Sequence, residues 1–206
     1  MSMPLVKICG ICRPEDGVAA AESGADFIGL IFASESKRRV DADQAVLIGE
    51  AARKRNEQIR IVGVFVNEQP AVIEAVARQA GLDLVQFHGD ESEETIFRVS
   101  YPSIRALRVG DRLPPIDSGA GIDWLLFDTL VEGARGGTGR VFEWKLLAAQ
   151  PVKRPFFVSG GLHPGNVGQA IEAARPDGVD VSSGVEDEPR VKNHEKIREF
   201  IRQVRR

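Results

Sequence analysis

The sequence has little of what secreted or membrane-spanning proteins need. It contains only two cysteines in 206 residues, which excludes a disulfide framework. No apolar run approaches the roughly 20 residues that span a bilayer. Met1 to Val6 has no charged flank before a long apolar stretch, so we expect no signal peptide. The formal net charge is only −3, which gives no reason to expect nucleic acid or an anionic membrane surface as a partner. These absences predict a cytoplasmic protein.

What the sequence does contain is a regular alternation of strand and helix patterns. Eight short runs are almost continuously apolar, as expected for strands that are covered on both faces. They are Leu5–Cys9, Phe27–Phe32, Ile59–Val66, Leu84–His88, Ile104–Val109, Trp124–Asp128, Phe156–Ser159 and Val179–Ser182. Helical patterns with start and stop signals lie between them. Pro70, for example, begins one such pattern and Gly81 follows its end.

The helical patterns complete the prediction of the fold. They begin at Pro14, at Asp41 or Asp43, and at Pro70, and continue with Glu91–Ser100, Phe142–Ala149, Pro164–Arg175 and Val191–Val204. The link between Val109 and Trp124 is rich in proline and glycine, so its helix must be short or degraded. Parallel strands joined by crossovers predict an α/β fold, a (β/α)₈ TIM barrel formed by a single domain over residues 1–206. An open, doubly wound sheet is the structural alternative.

In such a barrel the active site lies at the C-terminal ends of the strands. Cys9 ends strand one and Asp128 ends strand six. We interpret the thiol as a general base and the carboxyl group as a general acid. This chemistry needs a lowered thiol pKa, which a nearby cation such as Lys7 provides, and a carboxyl pKa that partial burial raises. Taken singly, Cys9 is more commonly an inert buried thiol and Asp128 a helix or turn cap.

Two loops predict a phosphate site. Gly160 and Gly161 follow strand seven, and Ser182, Ser183 and Gly184 follow strand eight. Loops after these two strands commonly bind phosphate in barrels of this kind. Glycine lets backbone N–H groups approach the anion, and serine adds hydroxyl donors. Either motif alone is equally explained as a turn, and the prediction depends on their pairing.

Two further loops have both a functional and a plain interpretation. Ser36–Arg39 follows strand two, and one of its arginines is placed to hold an anionic substrate group by bidentate contact. The plain interpretation is a solvated basic loop. Gly133–Gly139 follows strand six and does not match the nucleotide P-loop pattern. We interpret it as a flap over the site, with a flexible linker as the alternative.

The pair Cys9 and Cys12 forms a CxxC motif between a strand and a helix, which favours a redox or zinc function as a rival. A thioredoxin-like redox fold does not use eight strand–helix units, and a structural zinc site needs four ligands. The remaining candidate ligands, His88, His163 and His194, are far apart in the sequence. We therefore predict no metal site.

Taken together, the motifs resemble those of the phosphoribosylanthranilate isomerase family. The matching motifs run in order from strand one to beyond strand eight and cover nearly the whole chain. They are Val6–Ile11, Gly63–Asn67, Val85–Gly89, Leu126–Thr129, Gly136–Gly139, Ser159–Leu162 and Val179–Glu186. The resemblance implies a step of tryptophan biosynthesis. This step is the Amadori rearrangement of N-(5′-phosphoribosyl)anthranilate to 1-(2-carboxyphenylamino)-1-deoxyribulose 5-phosphate.

The resemblance also implies roles for individual residues. The family carries its base at the position of Cys9 and its acid at that of Asp128. Arg38 matches the arginine that holds the anthranilate carboxylate. His88 and Asp180 match positions of the substrate pocket, and the phosphate cradle matches at Gly160, Gly161, Ser182, Ser183 and Gly184. Beside this resemblance, we expect Lys7, next to the base, to bind the substrate as well.

The resemblance implies neither a metal nor an organic cofactor, because the substrate's own nitrogen serves as the electron sink. The expected partner is the small phosphorylated substrate, with the chain acting as a monomer or a homodimer. The family usually has threonine where this chain has Cys12, which raises the hypothesis of an inhibitory Cys9–Cys12 disulfide. Two alternatives stay open, a histidine-pathway barrel isomerase, whose chemistry typically uses two aspartates, and a non-catalytic phosphate-binding domain.

Overall fold

Eight parallel strands form a closed barrel in the order in which they occur along the chain. The structure is a computed structural model that describes residues 3–116, 121–129, 143–149 and 152–206. The barrel strands are β1 (Leu5–Cys9), β2 (Phe27–Ile31), β3 (Arg60–Phe65), β4 (Leu84–Phe87), β5 (Ser103–Val109), β6 (Trp124–Thr129), β7 (Phe156–Val158) and β8 (Gly178–Val181). Strand β8 pairs with β1, and Lys7 is in register with Asp180. The predicted (β/α)₈ barrel is confirmed, and the open sheet is wrong.

Helices follow most of the strands and cover the outside of the barrel. They are α1 (Pro14–Glu22), α2 (Ala42–Arg53), α3 (Pro70–Ala80), α4 (Glu93–Phe97), α5 (Lys145–Ala148), α6 (Val167–Ala174) and α7 (His194–Val204). The Asp41 side chain accepts a hydrogen bond from the Gln44 N–H at 2.8 Å and so caps α2. Gly81 ends α3 with a left-handed φ of 60°. No helix in the described ranges is long and apolar enough to cross a membrane.

The largest departure from the predicted elements is at the C-terminal end. The last helix begins at His194 rather than at Val191, because β10 (Val191–Lys192) pairs antiparallel with β9 (Glu186–Glu188). Asn193 then caps α7 through a hydrogen bond from the Lys196 N–H. Period-3.6 spacing of apolar residues did not reveal this two-residue strand, because so short a segment has no periodicity of its own.

Other differences are smaller. Helix α4 begins at Glu93 rather than at Glu91, since Ser92 caps it. The described part of the link between Val109 and Trp124 contains no helix, and residues 117–120 lie outside the described residues. The predicted flap Gly133–Gly139 also lies outside them, as does the first residue of the helix predicted from Phe142.

The interior of the barrel is built in two levels. The lower level is apolar and contains Phe27, Val62, Leu84, Ile104, Leu126 and Phe157. Phe27 packs edge-on against Phe157 with ring centroids 5.5 Å apart. Two residues further along several strands, at the next inward position, the side chain is polar or absent. The pairs are Leu5 and Lys7, Phe27 and Gly29, Leu84 and Gln86, Leu126 and Asp128, and Phe157 and Ser159. The apolar level therefore supports a polar one.

We expect the apolar level to set the stability of the barrel. Replacing the fully buried Phe27 with alanine should lower the free energy of unfolding by about 3–5 kcal/mol, because a large cavity remains among packed rings. Urea unfolding followed by circular dichroism measures this. Leu47→Ala on the exposed side of α2 is the control, and its effect should stay within about 0.5 kcal/mol. Equal losses in the two variants would contradict this account of the core.

Candidate active site

A buried ion pair stands at the seam where the barrel closes. Lys7 Nζ on β1 donates a hydrogen bond to Asp180 Oδ1 on β8 at 2.8 Å. The second oxygen of the same carboxylate accepts the Ser159 hydroxyl at 3.0 Å. Burial alone would lower the pKa of the Lys7 ammonium, but the attraction of Asp180 and Cys9 outweighs burial and raises it. The Lys7 side chain is fully buried, so it contacts its neighbours in the protein rather than an open pocket.

Cys9 lies beside this cation, and a glycine makes the room for both. A methyl group on Gly29 of β2 would lie 2.7 Å from Cys9 Sγ and 3.2 Å from Lys7 Nζ. Only a residue without a side chain therefore allows the thiol and the ammonium to share this space. Gly29 is in register with Cys9, so its position follows directly from the β1–β2 pairing.

The expectation of a lowered thiol pKa is wrong. Burial raises the pKa of the Cys9 thiol above its ordinary value, and the attraction of Lys7 only partly offsets burial. Cys9 is 6% exposed, and a thiolate there would lose most of its hydration. Burial therefore favours the neutral thiol of Cys9, whereas Lys7 favours the thiolate.

Asp128 is held from two sides at the end of β6. Its Oδ1 accepts the Thr129 N–H at 2.9 Å, and its Oδ2 faces His88 Nε2 at 3.3 Å. A methyl group on Gly160 would lie 2.8 Å from Asp128 Oδ1, so the loop after β7 runs directly past the carboxylate. Among the described residues Asp128 caps no helix, because its backbone-bound oxygen contacts the next residue of its own strand. The plain interpretation of Asp128 as a cap is not supported.

The two predicted phosphate loops lie against each other. Gly160 and Gly161 have left-handed φ angles of 87° and 65°, which favour glycine. Gly184 contacts the carbonyl group of Leu162 so closely that a side chain could not fit there. The N–H groups of Gly160 and Gly161 donate no hydrogen bond to any residue of the described part of the chain. These donors are therefore available to an anion at the rim.

The guanidinium of Arg38 is already half engaged. Its Nε and Nη2 donate to the two oxygens of Glu186 at 2.8 and 2.5 Å, a bidentate pair. Lys192 Nζ contacts the same carboxylate at 2.9 Å and the Ser182 carbonyl at 3.0 Å. Burial opposes the charge on Glu186, but Arg38 and Lys192 together lower its pKa. Two cations thus share one anion. The N–H groups on the other edge of the Arg38 guanidinium, at Nη1, have no hydrogen-bond acceptor among the described residues.

Sequence reasoning missed Lys192, Gly29 and Arg108. Lys192 is in a two-residue strand with no pattern of its own, so no sequence signal marked it. Arg108 Nη2 donates to the His88 carbonyl at 3.4 Å, and Arg108 is in register with Asp128. Strand alternation could have found Arg108, since it is two residues beyond the small inward residue Ala106.

The second cysteine of the CxxC motif lies apart from the polar level. Cys12 belongs to the apolar layer between barrel and helices, and its thiol donates to the Arg38 carbonyl at 3.3 Å. Both thiols are free. Within the described ranges no three His, Cys, Asp or Glu residues converge as metal ligands. The hypothesis of an inhibitory Cys9–Cys12 disulfide stays a prediction.

The polar residues therefore form one continuous rim. Cys9 contacts Lys7, Lys7 contacts Asp180, and Asp180 contacts Ser159. Gly160, the residue after Ser159, lies against the Asp128 carboxylate, which in turn faces His88. The predicted catalytic pair and pocket residues are brought to the same end of the barrel. Gly10, the residue after Cys9, lies so close to Arg38 and Ser182 that a methyl group on it would contact both. Arg38 and the loop after β8 therefore lie at the same rim.

Residues 6–203 match the model of the family described as N-(5'phosphoribosyl)anthranilate (PRA) isomerase. The chain belongs to this family. A protein of Nitrosomonas europaea named N-(5′-phosphoribosyl)anthranilate isomerase is 43% identical over 203 residues, which are 97% of this chain and 94% of that protein. The family assignment favours the isomerase interpretation over the CxxC redox or zinc alternative.

Solved structures agree with the assignment. Phosphoribosyl anthranilate isomerase from Thermus thermophilus has a TM-score of 0.86 at 32% identity, with 98% of each chain covered. Another phosphoribosyl anthranilate isomerase was solved in complex with reduced 1-(o-carboxyphenylamino)-1-deoxyribulose 5-phosphate. It has a TM-score of 0.83 at 35% identity and covers 98% of this chain and 99% of that chain.

The raised pKa of Cys9 predicts how its thiolate appears with pH. Because the folded protein favours the thiol, the thiolate should be scarce near pH 7 and increase only above about pH 9. Ultraviolet absorbance of the thiolate in the Cys12→Ser variant measures this, with the Cys12→Ser/Cys9→Ser double variant subtracted as background. A thiolate already present near pH 7 would contradict the dominance of burial.

Proposed function

We propose that this chain catalyses the Amadori rearrangement of N-(5′-phosphoribosyl)anthranilate to 1-(2-carboxyphenylamino)-1-deoxyribulose 5-phosphate. The single observation that carries the proposal is the shared rim. It places the Cys9 thiol beside a buried ammonium, and the Asp128 carboxyl group beside a glycine loop with unoccupied N–H groups. The family match over residues 6–203 supports this chemistry, as do relatives named for the same isomerase. The expectations of no cofactor, a cytoplasmic location and a monomer or homodimer remain predictions.

Asp128 is the general acid of the first step. Its proton goes to the ring oxygen of the furanose, the bond between that oxygen and C1′ breaks, and the nitrogen lone pair forms the C1′=N double bond. Once the proton has left, the carboxylate keeps the Thr129 N–H on one oxygen and faces His88 with the other. These groups are already in place before the reaction, so they stabilise the charge without reorganisation.

Cys9 is the general base of the second step. The reacting form carries Cys9 as the thiolate, after the thiol has released its own proton to solvent. This thiolate takes the proton from C2′, the C–H electrons form a C1′=C2′ double bond, and the C1′=N electrons return to nitrogen. The resulting enolamine tautomerises to the ketone. Lys7 lies next to the thiol and stabilises the anionic base, while Asp180 keeps the ammonium in position. The substrate's nitrogen is the electron sink of this sequence.

Two anion sites orient the substrate. The phosphate binds to the backbone N–H groups of Gly160 and Gly161 and to the loop Ser182–Gly184. The anthranilate carboxylate binds to the edge of Arg38 that faces away from Glu186. Arg38 and Lys192 bring two cationic groups to the single carboxylate of Glu186, although burial lowers the pKa of Lys192, and we infer that the cluster is positive. A simple Arg38–Glu186 pair would be neutral and would attract an anion much less.

The catalytic roles predict a loss of turnover rather than of binding. Asp128→Asn and Cys9→Ala should each lower kcat by about 10²–10⁴-fold, with a small change in KM, because proton transfer occurs only in the transition state. Loss of anthranilate fluorescence measures the reaction. Cys12→Ser is the matched thiol control and should keep its activity. The same variants should fail to complement a tryptophan auxotroph that lacks this step. Near-normal turnover in either variant would refute the assigned roles.

The charge cluster predicts an effect on binding. Arg38→Ala should chiefly raise KM, by about 10-fold or more, because the bidentate carboxylate contact is lost. Lys192→Met should also raise KM, since the remaining Arg38–Glu186 pair would be neutral. Lys196→Met is the control, because Lys196 contacts Glu186 only at its carbonyl oxygen. If Lys192→Met behaves like Lys196→Met, Lys192 does not maintain the charge of the cluster.

A further inference from the structure

Gln86 is the least explained polar residue of the rim. It points inward from β4, is 1% exposed, and lies two residues before His88. Its Nε2 lies 2.9 Å from His88 Nδ1. Its Oε1 is buried and has no hydrogen-bond partner among the described residues. A buried amide with one unpaired atom lowers stability, so a core position like this normally carries an apolar side chain.

The chemistry of the amide decides where His88 carries its proton. An amide nitrogen can only donate, so His88 Nδ1 must accept with its lone pair. A neutral imidazole then carries its proton on Nε2, the nitrogen that faces Asp128 Oδ2 at 3.3 Å. If the amide were turned around, its oxygen would face the ring. Nδ1 would then carry the proton, and a neutral ring would present a lone pair to the Asp128 carboxylate.

We propose that Gln86 is a positioning residue that holds His88 as the Nε2–H tautomer, with this N–H directed at Asp128. The inference rests on the proposed function, in which Asp128 is the acid. When Asp128 gives up its proton, both of its oxygens then face an N–H donor, Thr129 on one side and His88 on the other. The wrong tautomer would place a lone pair against the new negative charge and slow the step.

The tautomer can be read directly, without an activity measurement. The chain has only three histidines. Nitrogen-15 NMR separates protonated from unprotonated ring nitrogens, and His88→Asn identifies the His88 signals by their loss. We expect Nε2 protonated and Nδ1 unprotonated in the wild type at neutral pH. Gln86→Met should give averaged nitrogen shifts, and Gln86→Glu should invert the pattern, since a carboxylate accepts from Nδ1–H. A wild-type His88 protonated on Nδ1 would overturn the proposal.

A double-mutant cycle separates positioning from packing. Gln86→Met should lower kcat by about 10–100-fold while KM changes little, as is common when a partner that orients a histidine is removed. In a His88→Asn background the same change should cause almost no further loss, because its effect passes through His88. Losses that multiply in the double variant would overturn the proposal and indicate a packing role. If the wild type has no isomerase activity, the proposed function fails, while the NMR result still tests the tautomer.

Discussion

The Lys7–Asp180 ion pair is the constraint on which the rest of the site depends. A charged side chain inside a barrel loses its hydration, and only a partner at hydrogen-bond distance makes this burial acceptable. Here the partner comes from β8, the strand that closes the barrel against β1, so one contact joins the first and last strands. Removal of either partner of such a pair typically costs about 3–5 kcal/mol, because an unpaired buried charge remains. The same pair places a cation beside Cys9.

The lower interior level stabilises the fold, and the upper level holds the polar groups of the candidate site. Six apolar side chains fill the lower level, and among them the rings of Phe27 and Phe157 pack edge-on. The polar level above it can then hold buried charges at fixed distances, as a catalytic site requires. At Gly29 the polar level lacks a side chain that could add packing contacts, because only glycine leaves room for both the Cys9 thiol and the Lys7 ammonium.

Much of this arrangement could be predicted from the sequence, and the remainder has physical reasons. The alternation of apolar runs and helical patterns predicted the barrel. The positions of Cys9 and Asp128 at strand ends predicted that both lie at the active-site end of the barrel. The sequence could not weigh the burial of Cys9 against the attraction of Lys7, since that balance depends on solvent exposure. It also gave no sign that Glu186 divides its charge between two cations, because Lys192 belongs to a strand too short to leave a pattern.

The raised pKa of Cys9 and the positive cluster at Arg38 are consistent with each other once the substrate is considered. The proposed substrate brings a phosphate and a carboxylate, so an empty site that already held a thiolate would repel it at short range. A neutral thiol avoids this repulsion, and Lys7 stays paired with Asp180 rather than binding the substrate. The base then gains its charge only beside a buried ammonium. The arrangement thus separates the partly exposed Arg38 guanidinium, which we propose binds the substrate, from the fully buried Lys7 ammonium, which we propose stabilises the base.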